Sequence, residues 1–279
     1  MELSRTIDSD KRYYLDENTI ENAVSFLQTM RVFNDAKIDL YNALYDQKYL
    51  ASGPLIDHAY PVFLKEKYKT NDYYNAAVYS VASGSISSQK GLMIVLFNKT
   101  ILKLDEYERS VEADIRKLKT RLALVTEARK RKEKKLENIK NLLPERIVFG
   151  GKKLYSEKDT VGITKYAEDN KTSQKALKEW KQEFFEKRHQ SMALPGRHTS
   201  KYGNFLCKYD GKDLSVTCID GTTTVFHDFK LPRYNEAFQN NFTCKPEDRQ
   251  SICYNFTVKR DRKNRQYIIV SVTMKLQAY

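Results

Sequence analysis

Cysteine is scarce in this chain of 279 residues, and the four present, Cys207, Cys218, Cys244 and Cys253, form no CxxC pair. No histidine stands near them at zinc-ligand spacing. A zinc site and a disulfide framework are therefore not expected, and a reducing compartment is. His58, His189, His198 and His227 make no HxxxH pair, so no metal is expected in this chain. Neither a GxxxxGK[ST] loop nor a GxGxxG fingerprint is present, which removes the usual sequence signs of nucleotide-cofactor binding. No apolar run approaches the ~20 residues of a membrane span. The best candidate, residues 91–97, is far too short, and Met1–Arg5 lacks the apolar core of a signal peptide. No membrane partner is expected. There is no internal repeat and no low-complexity linker.

What the chain does have is positive charge, distributed unevenly. The net charge is +13 and 41% of residues are apolar, enough for a real core in about two domains. Residues 1–99 carry 11 basic and 12 acidic side chains and are nearly neutral. Three islands hold the surplus: residues 112–140 with 11 against 5, residues 171–201 with 8 against 3, and residues 251–279 with 6 against 1. Such segregation predicts several separate contacts to a polyanion, not a uniform cationic coat.

The pattern along the chain predicts an α+β fold. Lys11–Leu15 reads as a short strand within residues 1–16. Residues 17–143 read as helical, with Asn18 and Glu21 as a capping box and Ile20, Val24 and Leu27 on one face. A second helix is expected from Asp35 to Leu50, broken at Gly53-Pro54, and two more over 60–82 and 87–99. Val111, Ile115, Leu118, Leu122, Val125, Leu136, Ile139 and Leu143 occupy a and d heptad positions, which predicts an antiparallel helical hairpin or bundle seam. Only Arg129 and Lys132 interrupt it. They lie in the run Arg129, Lys130, Arg131, Lys132, Glu133, Lys134, Lys135, and the intrusion of charge into the seam marks a second candidate anion contact.

After Pro144 the pattern turns to β. Arg146–Phe149 reads as a strand closed by Gly150-Gly151, and residues 172–189 as a helix around Trp180, whose ring is expected in the core. Asn204–Tyr209 and Leu214–Ile219 flank Asp210-Gly211, and Asp220-Gly221 leads into Thr223–Phe229. Ile252–Val258 and Gln266–Met274 alternate well around a basic loop containing Lys259, Arg260, Arg262, Lys263 and Arg265. Short strands with tight turns predict a small β-barrel over residues 144–279, interrupted by the inserted helical domain.

Several residues of the second half recur in a known order. They are Phe149-Gly150-Gly151-Lys152-Lys153, then Glu179-Trp180-Lys181 and Lys187-Arg188-His189, then Gly196-Arg197, Lys201 and Gly203-Asn204. Tyr254-Asn255-Phe256 and Val270-Ser271 close the series. In this order, over about 130 residues, the chain resembles TnpB-type transposon-encoded proteins and their relatives, the type V CRISPR effectors. The first 143 residues match only in kind, as one strand followed by a helical insertion.

The resemblance implies an OB-like wedge barrel and a helical recognition domain that together hold a guide RNA and its target DNA. It also implies that a short duplex motif beside the target is read in the cleft between them. By this reading Lys152, Lys153, Arg188, Arg197, Lys201 and Asn204 contact the RNA, and Arg129, Lys130, Arg131, Lys132, Lys134 and Lys135 contact the heteroduplex or DNA. The family's RuvC-like nuclease, which uses a carboxylate trio with Mg2+, would begin about where the chain stops at Tyr279. The chain is therefore expected to be inactive alone, as a truncated piece or as one part of a split protein whose nuclease is a separate polypeptide. A prokaryotic cytoplasm, on the nucleoid when DNA is bound, is the implied location. Asp220 imitates part of the nuclease's first catalytic motif, but closely flanking strands make it a turn residue. The alternatives are a free-standing, non-cleaving RNA-binding or regulatory protein on the same scaffold, and a coiled-coil interaction module.

Overall fold

The computed structural model describes residues 2–50, 56–115, 122–141, 146–156, 170–232, 235–245 and 248–277. It is α+β, with seven helices among the described residues and two antiparallel sheets, neither closed into a barrel. The first sheet has the order β1 (Glu2–Asp8), β9 (Gln266–Gln277), β8 (Cys253–Arg260), β4 (Ser191–Leu194), with β2 (Tyr13–Tyr14) also pairing β9. The second has the order β3 (Ile20–Glu21), β7 (Thr223–Phe226), β6 (Leu214–Thr217), β5 (Cys207–Tyr209).

The three expected hairpins form. Tyr209 pairs with Leu214 across the Asp210-Gly211 loop, Thr217 pairs with Thr223 across Asp220-Gly221, and Arg260 pairs with Gln266 across the basic loop. Gly211 and Gly221 take φ of 104° and 85°, a region open to glycine because it lacks a Cβ. The Asp220 carboxylate accepts from the Thr222 N–H at 2.9 Å and from the Thr222 hydroxyl at 2.7 Å, the bonds of an Asx turn.

The start of the chain differs from expectation. Glu2–Asp8 is a strand, because β9 supplies a seven-residue antiparallel partner from Ser271 to Gln277. Residues Ile20–Glu21 are also strand, paired with Val225 and Phe226, so no helix starts at Asn18. The helix α1 (Ala23–Tyr45) begins after Asn22, whose φ is 53° and whose amide donates to the Thr223 carbonyl at 2.7 Å instead of capping. α1 also runs through the expected break near residue 35. Asn34 donates both to Met30 O at 2.8 Å and to Ser191 O at 2.9 Å, so it ties the helix to β4 without interrupting it. α1 ends in a π-helical turn, Asp46–Leu50, and α2 (Ile56–Tyr68) and α3 (Asp72–Ile115) follow. The expected Gly53-Pro54 break lies outside the described residues.

Residues 146–149 form no strand. The Ile147 N–H donates to the Tyr41 hydroxyl at 3.0 Å, and Phe149 packs edge-on against the Tyr41 ring. With that donor committed to a side chain and no neighbouring strand, the segment stays irregular. The short helix α5 (Lys152–Ser156), then α6 (Asn170–Arg188) and α7 (Asn235–Thr243) complete the helices after α4 (Leu122–Asn141).

Two compact units emerge, residues 1–82 with 147–279, and residues 83–146. The first contains α1, α2 and both sheets, so the helical segment expected over 17–143 is divided near residue 82. Its core is aromatic. Tyr13 and Phe26 each meet Phe226 edge-on at 5.1 Å, and Phe26 meets Phe256 at 4.9 Å, joining α1 to both sheets. All four rings are fully buried. In the second unit α3 and α4 run antiparallel. Arg129 reaches Glu108 at 3.4 Å, and the Lys132 ammonium sits 3.7 Å from the centroid of the Tyr107 ring. Leu118 and Leu143 of the expected seam lie outside the described residues, as do the side chains of Val111, Ile115, Leu122, Val125 and Ile139.

Candidate nucleic-acid interface

The segment 195–204 is fixed by its own backbone. Arg197 N–H donates to Gly203 O at 2.8 Å, and Gly203 N–H to Ser200 O at 3.0 Å. Gly196 has no room for a Cβ, which would stand 2.3 Å from the carbonyl oxygens of Gly203 and Ile252. Gly203 has φ +67°, and a Cβ there would meet Gln250 O at 2.7 Å. Asn204 is buried at the centre. Its amide nitrogen donates to Leu194 O, Pro195 O and Ile252 O, and its oxygen accepts from the N–H groups of Leu206 and Cys207. Asn204 therefore holds the loop together, and its amide is committed inward. Arg197 and Lys201, by contrast, are exposed on the loop's surface.

Arg197 lines a cavity of about 360 Å³ together with Tyr60, Asp72, Tyr73, Asn75 and Phe205. Two aromatic pairs stack there with planes 19° apart, Tyr73 on Phe205 at 4.7 Å and Tyr60 on Tyr79 at 4.3 Å. Tyr73 is half-exposed. Asn71 caps α3 by accepting from the Tyr74 N–H at 3.0 Å, which sets Tyr73 and Asn75 at the head of the helix. The Asn75 side chain is buried. Its oxygen accepts from the Thr70 hydroxyl, while its amide nitrogen has no partner. A buried amide donor left unpaired costs about 1–3 kcal/mol. A cavity that joins a flat aromatic surface and an exposed guanidinium can stack a planar ring and neutralise an attached anion.

The other expected contact residues divide into held and open groups. Gly150 and Gly151 take φ of 101° and 103°, and Phe184 packs where a Cβ of Gly150 would be. Trp180, half-buried, stacks on Phe184 and donates to Leu154 O at 2.7 Å, clamping α5. Gly150 thus serves this packing, Gly151 faces open space and is favoured by its φ alone, and Lys153 of α5 is exposed beside them. In the hairpin loop, Arg260 pairs with Glu186 at 3.2 Å, and Arg265 with Glu17 at 3.3 Å and Asp261 at 3.1 Å. Lys259, Arg262 and Lys263 are exposed. In α4, Arg129 pairs with Glu133 and Glu108 and Arg131 with Glu127, while Lys130, Lys134 and Lys135 are exposed. The charges that interrupt the expected seam are thus partnered within the hairpin. Arg188 is half-buried, and its Nε has no hydrogen-bond partner.

Sequence reasoning missed Tyr60, Tyr73, Asn75 and Phe205. Residues 73–79 of α3 are rich in tyrosine, yet nothing local ties them to a loop more than a hundred residues later. No group of three or more His, Cys, Asp or Glu side chains converges among the described residues. No described helix is long and apolar enough to cross a membrane. Comparison of the sequence with protein-family models and with curated proteins finds no match.

Proposed function

We propose that this chain is a nucleic-acid-binding scaffold, the guide-RNA- and target-DNA-binding portion of an RNA-guided nuclease of the TnpB or type V type. In this reading the two open sheets serve as the wedge and the α3–α4 hairpin as part of the recognition domain. The observation that carries it is the cavity around Arg197, where a residue of the Gly-Arg…Lys…Gly-Asn motif meets stacked aromatic rings. The segregated basic islands support it further, since backbone phosphates are met by Lys and Arg at separate points.

The test is a pair of gel-shift titrations, with guide RNA alone and with guide plus target duplex. Tyr73→Ala and Arg197→Gln should each weaken guide-RNA binding about tenfold or more, the scale of one lost base stack or charge-assisted hydrogen bond. Unchanged binding by both variants would remove the cavity from the interface.

A further inference from the structure

Phe185 is an aromatic ring that the core does not take up. Its neighbour on α6, Phe184, stacks on Trp180, whereas Phe185, about 100° further round the helix, is 42% exposed. The ring is nevertheless held in place. One turn on, the buried ring of His189 lies 4.2 Å from it, and the His189 nitrogens meet the Phe185 carbonyl oxygen at 2.7 Å and Asp35 of α1 at 2.9 Å. The Arg31 guanidinium of α1 sits 5.7 Å from the centroid of the same Phe185 ring. Both side chains line a cavity of about 320 Å³ between α1, the end of α6 and the β8–β9 hairpin, together with Lys187, Gln190, Lys259 and Arg260. Its charges do not balance. Glu183 holds Lys187 at 2.8 Å and Glu186 holds Arg260 at 3.2 Å, while Arg31 and Lys259 are exposed and have no carboxylate partner among the described residues. The basic islands 171–201 and 251–279, far apart in the chain, therefore meet at one cavity. It shares no lining residue with the cavity around Arg197.

We propose that this cavity is a second site, which binds an unpaired nucleotide with its base stacked against Phe185 and its phosphate neutralised by Arg31 and Lys259. An exposed ring backed by a second ring offers a flat surface to any base. An arginine beside it adds a guanidinium plane for stacking and N–H donors for phosphate. The volume falls within the range of small-ligand pockets, roughly 300–1,000 Å³. A duplex does not fit this chemistry, because its bases are stacked on one another and leave no free face. A single-stranded RNA segment and a free mononucleotide share the chemistry that does fit, and the assignment to RNA rests on the nucleic-acid reading above.

The experiment measures binding of the intact chain to a labelled single-stranded oligoribonucleotide and to the same sequence as a blunt duplex, and separately the thermal shift given by adenosine monophosphate. Wild type, Phe185→Ala, Phe185→Tyr, Arg31→Gln and Lys259→Gln are compared, with Tyr73→Ala reporting on the other cavity. Phe185→Ala should weaken single-strand binding about tenfold or more, the scale of one base stack, and leave duplex binding unchanged. Phe185→Tyr should keep wild-type affinity, because it keeps the ring. Arg31→Gln and Lys259→Gln should each weaken single-strand binding severalfold and lower its log–log salt slope by roughly 0.7. All of these side chains are exposed, so the melting temperature should stay in place. Single-strand affinity left unchanged by Phe185→Ala and Arg31→Gln but weakened by Tyr73→Ala would overturn this site and keep the nucleic-acid reading. No RNA binding by wild type, with a mononucleotide shift lost in Phe185→Ala and Arg31→Gln, would keep the site and reject the RNA assignment. Absence of both would overturn both. Equal losses on single strand and duplex, or losses that track falls in melting temperature, would overturn the stacking site.

Discussion

Asn204 shows how a residue type that suggests contact can instead be structural. Its side chain joins β4, the 195–204 loop, the start of β5 and the segment before β8 through five hydrogen bonds. Asn204→Ala would leave buried carbonyl and N–H groups without partners, at roughly 3 kcal/mol or more. Denaturant unfolding should show that loss. Arg197→Gln, an exposed change on the same loop, should leave the unfolding midpoint in place. Equal destabilisation by the two would mean the loop is not organised around Asn204.

His227 supplies a second residue-scale prediction. Its Nδ1 meets Asp213 at 3.0 Å and its Nε2 meets Glu21 at 3.1 Å, so both ring nitrogens face carboxylates. The Asp213 bond, then the two carboxylate charges, outweigh partial burial and raise the imidazole above its ordinary value of 6.5. Burial alone would raise Asp213. The bonds from Asp228 N–H and His227 outweigh it and hold the carboxyl below the usual range. A raised folded value means the stabilisation is fully present below pH 6.5 and is lost as pH rises through the folded value. Melting temperature should therefore decline over that interval relative to His227→Gln. Parallel pH profiles would show that the contacts carry no linkage.

At the scale of elements, what was legible followed from local chemistry. The β5–β6, β6–β7 and β8–β9 hairpins alternate in polarity and turn at Asp-Gly or a short basic loop, so neighbouring residues alone specify them. β1 could not be read that way: Glu-Leu-Ser-Arg-Thr-Ile-Asp becomes a strand because β9, far along the chain, supplies its partner. α1 runs on where a second helix is expected to begin at Asp35, because Asn34 bonds back to Met30 and across to β4. The loop residue Arg197 was legible from its motif. Tyr60, Tyr73, Asn75 and Phe205 were not, since their meeting depends on α2 and α3 packing beside that loop.

The α3–α4 hairpin makes an element-scale prediction. Arg129, Arg131 and Lys132 have partners within the hairpin, whereas Lys130, Lys134 and Lys135 are exposed. The triple change of those three lysines to glutamine should leave the melting temperature unchanged, because exposed charges contribute little. It should reduce the log–log salt slope of target binding by roughly 0.7–0.9 for each phosphate contact removed, and spare guide binding. A loss of guide affinity equal to the loss of target affinity would reject a division of labour between hairpin and sheets.

For the whole molecule, the charge distribution is the widest observation, since the three islands hold more than the whole surplus and the rest of the chain is slightly acidic. The chain alone should cut neither DNA nor RNA with Mg2+ present, and Asp220→Ala should alter only turn stability, because its carboxylate is engaged with Thr222. Guide-dependent cutting abolished by Asp220→Ala would contradict both statements. The central claim, that the molecule is built to hold nucleic acid, is tested most directly by the affinity of the intact chain for structured RNA over a series of salt concentrations. The account predicts a straight log–log plot with a slope of several units, made shallower by Arg197→Gln with Lys201→Gln. Affinity that stays flat from low to physiological salt would contradict it.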